Sequence, residues 1–252
     1  MKFSFWEFDS WFNDLELVVI GSGIVGLNTA IEYKKLNKKA KVLILEKGKL
    51  PEGASTKNAG FACFGSPSEL LSDLKHQTFD EVENLVYRRV KGLELLKSKL
   101  GKKNIDYRHW YGYEVFENKD DFDYCLENLN LLNSKFKKIT GLKKTYCDLS
   151  ANVKKMGFGD RFRYMICNMG EGQIDTGKMM QQLIKLANKN DIRILNSTKV
   201  DGVNYTTNDT VELKIGKFEI KSKKLAICTN GFFNELVQDQ QLIVEPARAQ
   251  VL

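Results

Sequence analysis

The segment Gly21-Ser22-Gly23-Ile24-Val25-Gly26 and the acid Glu46, twenty positions after its last glycine, are the residues whose types and spacing could do chemistry together. In such a segment the first glycine permits a tight turn, the second lets the backbone approach a pyrophosphate, and the third allows a helix to pack closely on a strand. The pyrophosphate would rest on the N-terminus of that helix, where unpaired amides and the helix dipole favour anions. Glu46 could accept hydrogen bonds from both hydroxyls of an adenosine ribose, and its charge would repel a 2′-phosphate. The ligand expected is therefore an adenine dinucleotide without that phosphate, FAD or NAD.

These residues need a strand before them, a helix after them and a second strand ending at the acid. Residues 15–20 and 42–45 are short apolar runs, and between them Ile24, Leu27, Ala30, Ile31 and Leu36 recur at helical spacing. Strand, helix and strand within about 30 residues form a βαβ unit, which implies a parallel sheet and a right-handed crossover. A loop of small residues follows at 53–65. A helical pattern then runs over 68–100, broken near 77–79, with Ser68 and Glu69 as its starting signal and Gly101 as its stop. Residues 111–117 and 161–168 read as strands with a helix over 121–138 between them, a mixture that suggests an α+β insertion. From Thr176 a helix returns, followed by short strands at 192–195, 200–205, 211–215, 218–220 and 224–228.

The loop Gly53-Ala54-Ser55-Thr56-Lys57-Asn58-Ala59-Gly60-Phe61 separates the two dinucleotides. Its small residues would let the backbone lie against a flat ring system or a phosphate, and a nicotinamide enzyme has no standard need of it at this place. Here the sequence resembles the FAD-dependent D-amino-acid oxidase superfamily, which includes glycine oxidase, sarcosine oxidase and D-amino-acid dehydrogenase. The resemblance runs from Leu15 to Leu252. Besides Gly21 to Gly26, Glu46 and the loop, it rests on Gly172-Gln173-Ile174-Asp175, Thr198-Lys199-Val200 and Cys228-Thr229-Asn230-Gly231. Pro246-Ala247-Arg248-Ala249-Gln250 is similar to the family's Pro-x-Arg-Gly-Gln strand.

The resemblance implies an α/β fold, a Rossmann-like FAD-binding domain with an interleaved α+β substrate domain. The FAD-binding domain is expected at 15–105 and 172–237, a partial substrate domain at 106–171 and 238–252, and an N-terminal extension at 1–14. Glu46 and Lys47 match the positions at the adenosine ribose, and Ser55, Thr56, Asn58, Ala59 and Gly60 those beside the pyrophosphate and flavin. Val200 matches the backbone contact to adenine, and Thr229 and Gly231 the second turn over the dinucleotide. Asp175-Thr176 stands where many members have an acid and a proline, Ala249 replaces a glycine, and Asn230 replaces a small residue, which blurs the subfamily. No His or Cys occupies the position of covalent flavin attachment, Cys63 coming a few residues late, so the FAD is expected to be noncovalent.

The reaction implied is oxidation of the C–N bond of an amino acid or secondary amine, by hydride transfer to the flavin and hydrolysis of the imine. The cofactor carries the difficult chemistry, and no catalytic side chain is assigned. A substrate carboxylate needs a cation, for which Arg108, Arg161 and Arg163 are candidates, with Tyr111, Tyr113 and Tyr164 as hydroxyl donors. His76 and His109 read as surface or helix-boundary residues. Because members of the family continue past the Pro-x-Arg-Gly-Gln strand, this chain is expected to lack a C-terminal segment, as a fragment or as one of two chains, and to be inactive alone. Alternatives are an FAD-dependent amine oxidase acting on a tRNA base and a noncatalytic FAD-binding half of a split enzyme.

Composition narrows the classes further. With 42% hydrophobic and 28% charged residues among 252, the chain has a globular balance, and no apolar run approaches the roughly 20 residues that cross a bilayer. The net charge of +7 is spread over lysine-rich helical stretches with few interleaved aromatics, which argues against a nucleic-acid groove. Five scattered cysteines without CxxC spacing, and two histidines, fit reduced thiols in the cytoplasm and no metal site.

Overall fold

A computed structural model describes residues 3–206, 210–237 and 244–247. The chain forms two compact units, one from residues 1–59 and 176–252 and the other from residues 60–175.

The first unit opens with α1 (Phe5–Phe12), started by a reciprocal capping box between Ser4 and Glu7. The βαβ unit follows as β1 (Leu15–Ile20), α2 (Ile24–Leu36) and β2 (Val42–Leu45), with the bounds read from the sequence. Both strands are apolar at nearly every position because parallel strands are covered on both faces. Val19 faces α2, where Leu27, Ala30 and Ile31 are buried. By strand alternation Val18, Ile20, Leu43 and Leu45 face the other way, into a cluster with Phe12, Val200, Leu213 and Ile220. The second part of this unit comprises α6 (Thr176–Lys189), β8 (Arg193–Leu195), β9 (Gly202–Tyr205), β10 (Val211–Ile215) and β11 (Phe218–Ile227).

The sheet order is β8-β2-β1-β11-β10-β9. The first four strands are parallel and the last three form an antiparallel meander. The α/β fold class is therefore as read. The strands expected at 218–220 and 224–228 are one continuous strand, which pairs first with β10 and then with β1. The N-terminal extension is a helix whose Phe12 is buried and packs with Phe3, Phe8 and Phe218 at ring-centroid distances of 5.2–5.7 Å.

The second unit contains β3 (Phe61–Ala62), α3 (Pro67–Asp73), α4 (Phe79–Leu100), β4 (Gly112–Phe116), α5 (Lys119–Thr140), β5 (Tyr146–Asp148), β6 (Tyr164–Asn168) and β7 (Gly172–Gln173). β4, β6 and β5 form an antiparallel sheet, and β3 pairs with β7. The N-cap of α3 is Ser66 followed by Pro67, two residues before the expected signal, and Thr78 caps α4. Val82, Val86 and Val90 of α4 pack with Phe122, Cys125, Leu129, Leu132 and Phe136 of α5. That shared core places α4 in the second unit, whereas the sequence reading set it with the FAD-binding domain through residue 105. Arg248, Ala249 and Gln250 lie outside the described residues, as do 238–243, so most of the 238–252 segment assigned to the substrate domain is not described.

Candidate dinucleotide-binding site

The carboxyl ends of three adjacent parallel strands, β2, β1 and β11, bring Glu46, Gly21 and Thr229 to one end of the first unit's sheet. From β1 the chain proceeds to β2 on one side, while β11, the last strand among the described residues, lies on the other. This is a topological switch point, where open α/β sheets bind ligands.

The turn after β1 depends on glycine at two places. Gly21 has φ +101°, and a Cβ there would stand 2.6 Å from the Cys228 carbonyl oxygen at the end of β11. A Cβ on Gly26 would fall on the Gly21 carbonyl oxygen, so the first turn of α2 sits directly on the loop. Gly23 is the N-cap of α2 and offers no side-chain cap. The Ile24 N–H donates instead to Ser55 Oγ at 2.9 Å, which ties the small-residue loop to the helix N-terminus. Val25, in the first turn, is 63% exposed, a large apolar side chain left uncovered beside the turn.

Glu46 is buried, and its carboxylate is already used within the protein. The Ser22 N–H and Oγ–H donate to Oε2 at 2.9 and 2.8 Å, and the Gly48 N–H donates to Oε1 at 2.9 Å. A carboxylate oxygen accepts about two hydrogen bonds, so Oε1 retains capacity for a ligand hydroxyl. The acid thus braces the glycine turn, a role that spacing alone did not reveal. Lys47 is exposed, with Nζ 4.3 Å from the centroid of the Phe232 ring.

The loop after β2 folds on itself. Thr56 Oγ1–H donates to the Pro51 oxygen at 2.7 Å, and Asn58 Nδ2–H donates to the Ala54 and Ser55 oxygens at 2.9 and 3.1 Å. Ala59 is exposed, and Gly60 begins the second unit, where its carbonyl accepts the Ile174 N–H at 2.8 Å. Val200 is buried in the core of the first unit. Thr229 follows β11, and its Oγ1 is buried without a hydrogen-bond partner among the described residues. A Cβ on Gly231 would stand 2.9 Å from Pro246 Cα. A buried hydroxyl without a partner among the described residues, on the residue whose backbone N lies 3.8 Å from a Cβ placed on Gly21, leaves a polar group for a ligand to satisfy, and the residues present fit an adenine dinucleotide.

The carboxylate candidates are not gathered in one place. Arg161 Nε pairs with Glu117 at 2.6 Å, and Arg108 pairs with Asp106 at 3.2 Å while its guanidinium lies 4.9 Å from the centroid of the Trp110 ring. Arg163 donates its backbone N–H to the Phe116 oxygen at 3.4 Å, beside the paired ends of β4 and β6. Tyr164 stacks on Phe122, 4.8 Å between centroids, against the helical core. Tyr111 and Tyr113 are largely exposed, and partial desolvation raises the Tyr113 phenol pKa above the usual value. His109 Nε2 lies 2.8 Å from the Met169 oxygen, and His76 is exposed at the end of α3.

The sequence reading passed over Glu171. This buried acid accepts the Phe64 and Gly65 N–H groups at 2.8 and 3.1 Å, and burial raises its pKa despite those two donors. Its only sequence signal is its place just before Gly172-Gln173-Ile174-Asp175.

A family model described as DAO, FAD dependent oxidoreductase, matches residues 16–252. Among solved structures, glycine oxidase from Bacillus cereus superposes with a TM-score of 0.65 at 17% identity, over 89% of this chain and 57% of that one. L-proline dehydrogenase from P. horikoshii gives a TM-score of 0.65 at 19% identity, over 88% of this chain and 55% of that one. An L-amino acid deaminase from Proteus vulgaris gives 0.65 at 20% identity, over 91% and 56%. The chain spans about half the length of the structures it matches. No match is found among curated proteins.

Proposed function

Because this chain belongs to the DAO family of FAD-dependent oxidoreductases, we propose that its first unit holds FAD noncovalently and that the whole protein oxidises the C–N bond of an amino acid or secondary amine. The observation that carries the reading is the constellation at the ends of β1, β2 and β11: the turn from Gly21 to Gly26, Glu46, and the Thr229 hydroxyl, which has no partner among the described residues.

FAD, when bound, supplies the acceptor for the hydride that leaves the substrate carbon. The chain's own residues bind and orient. The amides of Gly23, Val25 and Gly26 at the start of α2 would hold the pyrophosphate, because the first N–H groups of a helix have no intrahelical partner, while the Ser22 and Ile24 amides, given to Glu46 and Ser55, would shape the turn around it. Glu46 Oε1 and Lys47 would hold the adenosine ribose, and the Val200 backbone would meet adenine. Ser55, Thr56, Asn58, Ala59 and Gly60 would flank the pyrophosphate and flavin, and Thr229 and Gly231 would close over them. Glycine oxidase, proline dehydrogenase and amino acid deaminase, the names of the similar structures, support an amine-bearing substrate. The reading includes a cytoplasmic location, supported by the free cysteines; no described helix is long and apolar enough to cross a membrane.

Titration of the apoprotein with FAD, FMN and NAD, followed by flavin fluorescence or calorimetry, tests the cofactor. Tight binding of FAD and weak binding of FMN, which lacks the adenosine half, is the expected result. Equal affinity for FMN would refute the role of Glu46 and the glycine turn. Anaerobic bleaching of the bound flavin by a panel of amino acids and secondary amines then tests the substrate class.

A further inference from the structure

The geometry points to a redox modification site in the second unit: Cys147 and Cys167 join as a disulfide when the protein meets a hydroperoxide. The two residues are directly opposite each other on β5 and β6. The Met169 N–H donates to the Thr145 oxygen at 2.8 Å and the Leu149 N–H to the Met165 oxygen at 2.9 Å, two residues to either side. By the alternation of an antiparallel ladder, 147 and 167 are a hydrogen-bonded pair, with Cα atoms about 5.5 Å apart, within the separation a disulfide spans. Residues opposite each other share a face, so the Cys147 and Cys167 side chains are neighbours on β5 and β6. A third sulfur, Met169 Sδ, lies 3.6 Å from Cys167 Sγ.

The two thiols differ in a way that orders the steps. Cys147 is half-buried and Cys167 is fully buried, so an oxidant from solvent meets Cys147 first. Burial, aided by the neighbouring Cys147, pushes the Cys167 thiol up to about 12, which keeps it protonated and inert toward solvent reagents. The Cys147 thiolate attacks one oxygen of the hydroperoxide and breaks the O–O bond. The other oxygen leaves as an alcohol, or as water from hydrogen peroxide, and Cys147 becomes a sulfenic acid. Cys167 sulfur then attacks Cys147 sulfur, the S–O bond breaks, and hydroxide leaves as water with the Cys167 proton. Two thiols lose two electrons and two protons, and the hydroperoxide is reduced.

The full chain treated with hydrogen peroxide under native conditions, then unfolded, alkylated and digested with trypsin, tests this. Cleavage separates Cys147 in the peptide 145–154 from Cys167 in the peptide 164–178. The expected product is the two peptides joined, two hydrogens lighter than their sum, with loss of alkylation at both cysteines and recovery by dithiothreitol. Cys147→Ser and, in case serine disturbs the strand, Cys147→Ala should each leave Cys167 fully alkylated. The proposal falls if both peptides remain alkylated while exposed Cys63 is oxidised. It falls equally if Cys147 reaches the sulfinic acid with Cys167 still free, or if Cys167 is lost in both variants.

Discussion

At Gly26 there is no room for even one carbon, because a Cβ would fall on the Gly21 carbonyl oxygen. Gly26→Ala should therefore part α2 from the turn, lower stability by about 1–3 kcal/mol, and abolish FAD binding; urea unfolding and flavin titration measure the two effects. Glu46→Ala removes the acceptor of two buried donors on Ser22, so it should destabilise the apoprotein by about 1.5–3 kcal/mol besides weakening FAD, whereas a residue that touched only ligand would leave the apoprotein unchanged. Glu171 offers a test by pH. Burial raises its folded pKa above the ordinary 4.5, so the stability it adds is present below that value and is lost as pH rises through the folded value. Glu171→Gln keeps an acceptor for the Phe64 and Gly65 amides without the buried charge. Its stability relative to the parent should improve between about pH 4 and about pH 7, and no change in that difference would contradict the assignment. The glycine turn was legible because steric demands leave few residue choices. The bonds from Ser22 to Glu46 and the isolation of Thr229 Oγ1 were not, since a hydroxyl's partner depends on which strands become neighbours.

Elements with a strong local signature were legible at their bounds. β1, α2 and β2 combine uninterrupted apolar runs with glycine punctuation, and both unbroken strands lie inside a parallel sheet. β11 was read as two pieces because the pattern around 221–224 is polar. The reason is a change of neighbour: β10 pairs with Phe218 to Ser222 and β1 with Ser222 to Ile227. At the changeover Ser222 is buried, with Oγ donating to the Lys224 oxygen at 2.8 Å. β3 and β7 are two residues each and far apart in sequence, so no local period could announce them. α1 carried a signal that was overlooked, Ser4 three residues before Glu7, masked by aromatics that are mostly exposed, such as Phe5 and Trp6. Its anchor is Phe12, and Phe12→Ala should cost about 3–5 kcal/mol by thermal or urea unfolding, while Trp6→Ala on the exposed side should cost little.

For the whole molecule, ligand linkage gives a prediction that does not require catalysis. FAD at a hundredfold excess over its dissociation constant should stabilise the fold by about 2.7 kcal/mol, read as a rise in the thermal midpoint that Gly26→Ala abolishes. The two units also share the chain in a particular way. The second is one continuous insert, and its ends meet, since the Ile174 N–H donates to the Gly60 oxygen. Before the insert folds, pairing β2 with β8 or β1 with β11 must close a loop more than a hundred residues long, at an entropic cost that grows with the logarithm of its length. Once it folds, its joined ends shorten the loop between β2 and β8 to residues 46–59 and 176–192, the latter including α6. The insert is then a clasp for the parallel sheet: folded first, it lowers the entropic cost of bringing β8 to β2, through the point where the chain leaves and returns.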